Sequence, residues 1–306
     1  MVSPLPNPRK VGGNWDMDVS QDVNPDLLRY KEHDQTELIQ NSFITTSESV
    51  PLGGKSLLVV VPVLNEARLL VANTVKLKEY LTKTDLNFTI CLYVDPSSDN
   101  SMELAKELSS SSAGRVVTMA GQKSVGRGFA VREAWRSISS DFYCFMDADL
   151  AADIGSMVEV LELLVTGKAE VVIGSRYVNG SIVHRPPLRR KVSEIYNGIL
   201  RLIFRDGVFD HQCGYKFLNH RAAELILRTT DVDSWFWDTE LVVVSKFLKL
   251  KMIEYPVTWR ELKHKKTSVR RLISDIIIHG GGIIYLAGKI PLLKRKASLY
   301  ENAFRE

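Results

Sequence analysis

The chain holds 306 residues, 45% of them apolar, with a formal net charge of +4. That length suits one large α/β domain with arms or two small domains, the apolar share supports a real core, and the charge is too small to argue for nucleic acid. The three cysteines, Cys91, Cys144 and Cys213, are scattered and odd in number; two lie in apolar strand-like runs, so buried free thiols in a reducing compartment are expected rather than disulfides or metal ligands.

Residues 1–54 read as a polar arm, partly disordered, rich in proline and glycine. No signal peptide is evident there, and no run of about 18 apolar residues predicts a transmembrane helix. Residues 55–262 form the expected domain. Leu57 to Pro62 is the β-branched pattern of a strand buried on both faces. Asn65-Glu66 opens a helix to about Leu81, and a second strand covers Phe88 to Val94. Met102 to Ser109 is a helix and Arg115 to Met119 a short strand. Gly126-Arg127-Gly128 opens a helix to Ile138, then Asp141 to Met146 is a strand. Met157 to Leu164 is a helix and Ala169 to Ile173 a strand. Beyond Arg176 the pattern changes. Arg185 to Lys191 reads as a basic loop, Val192 to Phe204 as a helix, and Asp210 to Phe217 as loop and strand. Arg221 to Arg228 and Trp235 to about Leu250 are helices, and Lys251 to Trp259 is a strand with Pro256 marking an edge or a start. Residues 263–306 form a basic, amphipathic C-terminal segment.

Strand and helix alternate from 56 to 175, which predicts a mostly parallel sheet flanked by helices, a Rossmann-like α/β fold. Ligands of such sheets sit beyond the carboxyl ends of the strands. The loops 62–66, 95–101, 147–153 and 174–176 then share one rim. The run Phe142 to Met146 ends in Asp147-Ala148-Asp149. Two carboxylates at a strand end suit a hard divalent cation, Mg²⁺ or Mn²⁺, completed by water and substrate phosphates. A turn whose Asp residues cap the following helix is the other reading.

Val61-Pro62-Val-Leu-Asn65-Glu66, Asp147-Ala-Asp149-Leu150, Gly174-Ser175-Arg176, Gln212-Cys213-Gly214-Tyr215-Lys216 and Trp237-Asp238-Thr-Glu240-Leu241 follow one another in this order. In this set the chain resembles family 2 nucleotide-sugar glycosyltransferases of the GT-A fold, and within them the dolichyl-phosphate glucose and mannose synthases. The resemblance covers about residues 56–275. It implies that Pro62, Asn65 and Glu66 border the nucleoside, with Asp95 or Asp99 reaching the base. It puts Arg127 and Ala148 beside the nucleotide sugar and Asp147 and Asp149 on Mg²⁺ or Mn²⁺ against the diphosphate. Arg176, Arg189 and Ser193 would face the acceptor phosphate or donor diphosphate, joined by Lys266 and Arg270 unless these are a solvated or lipid-facing run. Trp235, Trp237 and the catalytic candidate Asp238 would shape the sugar or acceptor side unless the tryptophans are core. The loop Asp95-Pro-Ser-Ser-Asp99 departs from the common Asp-Asp-Gly-Ser-x-Asp, and Arg127 stands where the family has lysine. Asp153 could be a further metal ligand or a cap.

The implied reaction is inverting transfer of a hexose from UDP-glucose or GDP-mannose to a polyprenyl (dolichyl) phosphate; a GT-A enzyme with a soluble or saccharide acceptor is the alternative. A phosphate monoester is already anionic and needs no general base, in keeping with His184, His211 and His220 read as structural. The apolar stretch Leu272 to Leu293, followed by Lys294-Arg-Lys296, predicts an interfacial helix pair or a packed terminal helix. The expected location is therefore cytoplasmic, peripheral on the cytoplasmic face of a membrane.

Overall fold

The computed structural model describes residues 52–122, 126–261 and 269–303. Its main sheet contains β1 (Ser56–Val63), β2 (Asn87–Val94), β3 (Val116–Ala120), β4 (Phe142–Met146), β5 (Val171–Ser175), β7 (Tyr215–Asn219) and β8 (Met252–Pro256). The order is β3-β2-β1-β4-β7-β5-β8. All neighbours pair in parallel except β7, which runs antiparallel to both β4 and β5. A small second sheet joins β6 (Ile182–His184) to β9 (Thr258–Arg260).

Leu57 to Val61 lose nearly all solvent contact, as a run with no polar face must in a sheet covered on both sides. Successive residues enter opposite layers. Leu57, Val59 and Val61 pack with α1 (Ala67–Thr82), α2 (Ser101–Ser110) and α4 (Met157–Val165). Leu58 and Val60 pack with α3 (Arg127–Ser137), α5 (Pro187–Phe204), α6 (His220–Thr229), α7 (Trp237–Phe247) and α8 (Val269–Ala303). This is the mostly parallel, helix-flanked sheet expected from the alternation.

The reversal of β7 positions the site. Met146 pairs with Tyr215 and Phe142 with Asn219. The start of β7 therefore lies at the carboxyl end of β4, and the segment before it joins the rim.

Several elements differ from expectation. Helix α5 starts at Pro187 rather than Val192, with Pro186 in the extended conformation before it. Proline at the first helical position forfeits no hydrogen bond, so a basic run that looked like loop is the first turn of a helix. The strand expected over Lys251 to Trp259 is two strands: Pro256 ends β8, and the chain crosses to pair β9 with β6, which the sequence did not announce. The helix expected to open at Trp235 starts at Trp237. The stretch Leu272 to Leu293 lies in one helix, not a pair. Leu286 and Leu293 enter the core, and a Cβ on Gly282 would come within 2.5 Å of the Phe236 ring, so the glycine lets α8 approach closely. No helix among the described residues is long and apolar enough to cross a membrane.

All three cysteines are free and buried. Burial pushes the Cys91 thiol up to about 12 and raises Cys144 and Cys213 as well. A protonated, inaccessible thiol is a poor nucleophile. The native protein should therefore fail to react with a thiol-titrating reagent at neutral pH, and the denatured protein should titrate all three. Fast labelling of the native chain would contradict this packing.

Candidate active site

The rim is stitched together by short polar side chains. Asn65 adopts a left-handed backbone, φ 55°, which asparagine tolerates better than most residues. Its Oδ1 accepts from the Ser98 N–H at 2.7 Å and Ser98 Oγ at 3.0 Å, while its own N–H donates to Ser97 Oγ at 3.1 Å. The Glu66 N–H donates to Ser101 Oγ at 3.0 Å. Asp99 accepts from the N–H of Ala67 at 3.1 Å and from Ser101 Oγ at 2.6 Å. One carboxylate thus caps the starts of both α1 and α2, and the Ser101 bond leads in holding it below the usual carboxylate range. Asp99 is exposed, whereas Asp95 is buried at the end of β2. Pro62, next to last in β1, is half-buried opposite Tyr93.

At the end of β4, the Asp147 N–H reaches the Gly214 carbonyl at 3.3 Å. Asp149 Oδ1 accepts from the Ala151 N–H at 3.1 Å, and the Ala148 carbonyl takes the Asn73 amide at 2.7 Å. Asp153 caps the short turn that follows, through the Gly155 N–H at 3.3 Å.

The buried Arg127 guanidinium bridges Asp147 and Asp238, the latter at 2.6 Å. The Trp235 ring lies 3.8 Å from its carbon. Fully buried Lys216 donates to the Cys213 carbonyl at 2.7 Å and to Asp238 at 3.3 Å. Local sequence explains this placement. Gly126 takes φ 100°, and a side chain on Gly128 would overlap Trp237 Cβ at 2.5 Å, so only glycines let α3 start against α7 and deliver Arg127 inward.

Burial first, then Asp149 and Asp238, push the Asp147 carboxyl up to about 6, against the lowering pull of Arg127 and Lys216. The two cations therefore offset only part of the cost of an ionised Asp147. A divalent ion beside Asp147 and Asp149 would supply the missing positive charge. Among the described residues no group of three or more His, Cys, Asp or Glu converges as a cage. Two carboxylates with the other positions left to phosphate and water is the donor set of Mg²⁺ or Mn²⁺, so the residues fit such an ion.

Other expected residues are placed elsewhere. Arg176 is buried and committed to Asp210, through its backbone N–H at 3.0 Å, Nε at 2.7 Å and Nη2 at 2.8 Å. Arg189 pairs with Glu261, which also takes Arg185 Nε at 2.8 Å; Arg185 in turn donates to Ser193 Oγ at 2.9 Å. Arg189 and Ser193 share a helix face as expected, and Arg185 and Glu261 occupy the space between them. Trp237 is core, 5.4 Å from the Phe145 ring and 5.6 Å from that of Trp135, its N–H donated to Thr230. Lys266 lies outside the described residues, and only the helical backbone of Arg270 is described. His211 is held between Asn197 and Asp206, and His220 by Ser140, so both serve the scaffold. Sequence reasoning assigned no role to Lys216, Asp210 or Glu261. Lys216 had a signal: a lysine inside the apolar run Tyr215 to Leu218.

The model of glycosyl transferase family 2 matches residues 58–227, and the chain belongs to that family. It is a glycosyltransferase. Among its relatives, glycosyltransferase AglD of Haloferax volcanii is 31% identical over 234 residues, covering 76% of this chain and 37% of that protein. Dolichyl-phosphate beta-glucosyltransferase ALG5C of Trichomonas vaginalis is 25% identical over 249 residues, 78% of this chain and 74% of its own length. Among solved structures, glucosyl-3-phosphoglycerate synthase of Mycobacterium tuberculosis in complex with Mn²⁺, UDP and glucosyl-3-phosphoglycerate is similar at a TM-score of 0.57. It shares 15% identity over 77% of this chain and 81% of that one, a likeness of fold.

Proposed function

We propose that this chain transfers a hexose, glucose in the first instance, from a nucleoside-diphosphate sugar to a polyprenyl (dolichyl) phosphate, with inversion at the anomeric carbon and with Mg²⁺ or Mn²⁺. The observation that carries the reading is the paired Asp147 and Asp149 at the sheet rim, wired through Arg127 to Asp238. Several relatives are named dolichyl-phosphate beta-glucosyltransferases, which favours glucose and a dolichyl phosphate acceptor.

Asp147 and Asp149 would hold the ion, which supplies Lewis-acid neutralisation of charge on the leaving diphosphate. Asn65, Glu66 and Asp95 border the nucleoside in this reading, and Asp99 supports them by fixing both helix starts. Arg127 and Lys216 fix Asp238 at the sugar side, and Ala148 lines the floor where its carbonyl is pinned by Asn73. The Arg185, Arg189 and Ser193 cluster is the candidate acceptor-phosphate site, and Lys266 and Arg270 remain candidates for it by resemblance alone; Arg176 would serve it indirectly by fixing the Asp210 segment. An anionic acceptor needs positioning and screening, not deprotonation.

The test is transfer from radiolabelled UDP-glucose and GDP-mannose, in parallel, to dolichyl phosphate in detergent with Mn²⁺. Label should enter the lipid phase from one donor, and Asp149→Ala should reduce it by at least about a thousandfold. Transfer only to soluble acceptors would instead favour the second reading, which the fold neighbour bound to phosphoglyceric acid motivates.

A further inference from the structure

Two acidic residues lie in the first turn of α7, and both are buried: Asp238 and Glu240. Two positions along a helix rotate a side chain by about 200°, so the two leave α7 on opposite sides. Asp238 faces Arg127 and Lys216. Glu240 belongs to the same Trp237-Asp238-Thr-Glu240-Leu241 run but takes no part in that cluster. A carboxylate in the first turn suits the helix dipole, yet full burial is costly unless a cation and hydrogen bonds hold the charge.

The cation comes from α8. Gly282, Leu286, Lys289 and Leu293 follow at intervals of four, three and four residues, one face of the helix. Gly282 lies against the Phe236 ring and both leucines enter the core, which fixes Lys289 beside α7. Lys289 Nζ donates to Glu240 at 2.8 Å and to Asp231 at 3.0 Å, and the Tyr285 hydroxyl donates to the same Asp231 at 2.6 Å. Glu240 also accepts the N–H of Val232 at 2.9 Å and that of Asp231 at 3.2 Å.

Residues 230–234 are thereby held, and α3 begins against them. The Phe129 N–H donates to the Asp233 carbonyl at 3.1 Å, and Arg132 donates to the Thr230 carbonyl at 2.9 Å. A Cβ on Gly126 would run into the Asp233 carbonyl, and one on Gly128 into that of Val232. Arg127 stands between these glycines, so its reach to Asp147 and Asp238 depends on where residues 230–234 stand.

We infer that Glu240 is a positioning residue, clamped by Lys289 of α8, that sets the start of α3 and so aims Arg127 at Asp147 and Asp238. Its effect on rate rests on the proposed hexosyl transfer; the coupling from α8 to α3 does not.

Amide hydrogen exchange on the full chain reads the coupling, and steady-state transfer reads its effect. Lys289→Met keeps the apolar stem and removes the charge. The peptide holding the Phe129 and Ala130 N–H groups should exchange at least about tenfold faster, with β1 protected as in wild type. At a temperature where the variant is fully folded, kcat should fall by about tenfold to a hundredfold, with KM for the nucleotide sugar within about twofold. Lys289→Arg should restore both. Lys294→Met, exposed on the same helix, should match wild type in both. Glu240→Gln keeps the volume and one acceptor oxygen; it should loosen the same peptide and stands in for Lys289→Met if that variant does not fold. Unchanged exchange at Phe129 and Ala130 in both variants, protection lost evenly over the whole chain, or an equal change in Lys294→Met would each overturn the inference. So would faster local exchange with unchanged kcat. If wild type transfers hexose from neither UDP-glucose nor GDP-mannose, faster local exchange in Lys289→Met sustains the coupling and only the catalytic reading falls.

Discussion

Gly214→Ala should lower kcat by about a hundredfold, the cost of moving a positioned group by about an ångström, while the protein remains folded. A Cβ at Gly214 would lie 2.5 Å from Asp147 Cγ and 2.8 Å from Oδ1. Gly214 immediately precedes β7, and its carbonyl accepts the Asp147 N–H, so neither backbone can retreat without disturbing the centre of the sheet. The side chain of Asp147 must move instead. Circular dichroism and Tm should change little, and the Mn²⁺ concentration for half-maximal rate should rise. Unchanged turnover with unchanged metal dependence would show that Asp147 does not act from the position described.

Asp210→Ala should act on stability. It strands the Arg176 guanidinium, buried with its partner, as an uncompensated charge, at a cost of about 3–5 kcal/mol and a fall in Tm of roughly 10 °C. Replacing both residues by apolar ones of similar volume should recover much of that loss. The pair also sets a pH dependence. Burial alone would raise the Asp210 carboxyl, but the Arg176 charge and hydrogen bonds hold it below its ordinary 3.8. The stability it contributes is therefore full at neutral pH and lost as pH falls below about 4 through the folded value. Wild type should lose this contribution on acidification and the double apolar variant should not. If Asp210→Ala keeps its Tm and loses only kcat, Arg176 belongs to the chemistry and not to the scaffold.

The alternation from Ser56 to Ser175 was legible because each strand there is an apolar run cut off by a polar or glycine-bearing loop. Asp147 and Asp149 stood out for the same reason: an aromatic-rich strand ends in two carboxylates. What closes the site was not legible. Arg127 finds Asp238 across 111 positions of chain, and nothing local at either residue names the other. Trp235 and Trp237 look alike in sequence, yet one sits over Arg127 and the other is core, a difference set only by where α7 begins. The direction of β7 was hidden because a short apolar run carries no sign of polarity. Arg185 to Lys191 looked like loop because its charges outweighed the signal of Pro187.

The antiparallel β7 has a consequence for how the molecule is made. Phe145 pairs with Lys216, and between them lie two strands and the helices α4 and α5. Pairing of this kind forms slowly, because a long loop must close before any contact rewards it. During synthesis β4 waits with one edge open until Tyr215–Asn219 emerges, and an open apolar edge recruits other chains. The same insertion that shields this edge delivers Gly214 and Lys216 to Asp147 and Asp238. Closing the sheet is a precondition for assembling the carboxylate cluster, which Asp238 on α7 then completes, so a nascent or truncated chain ending before Tyr215 has neither the cluster nor protection from aggregation.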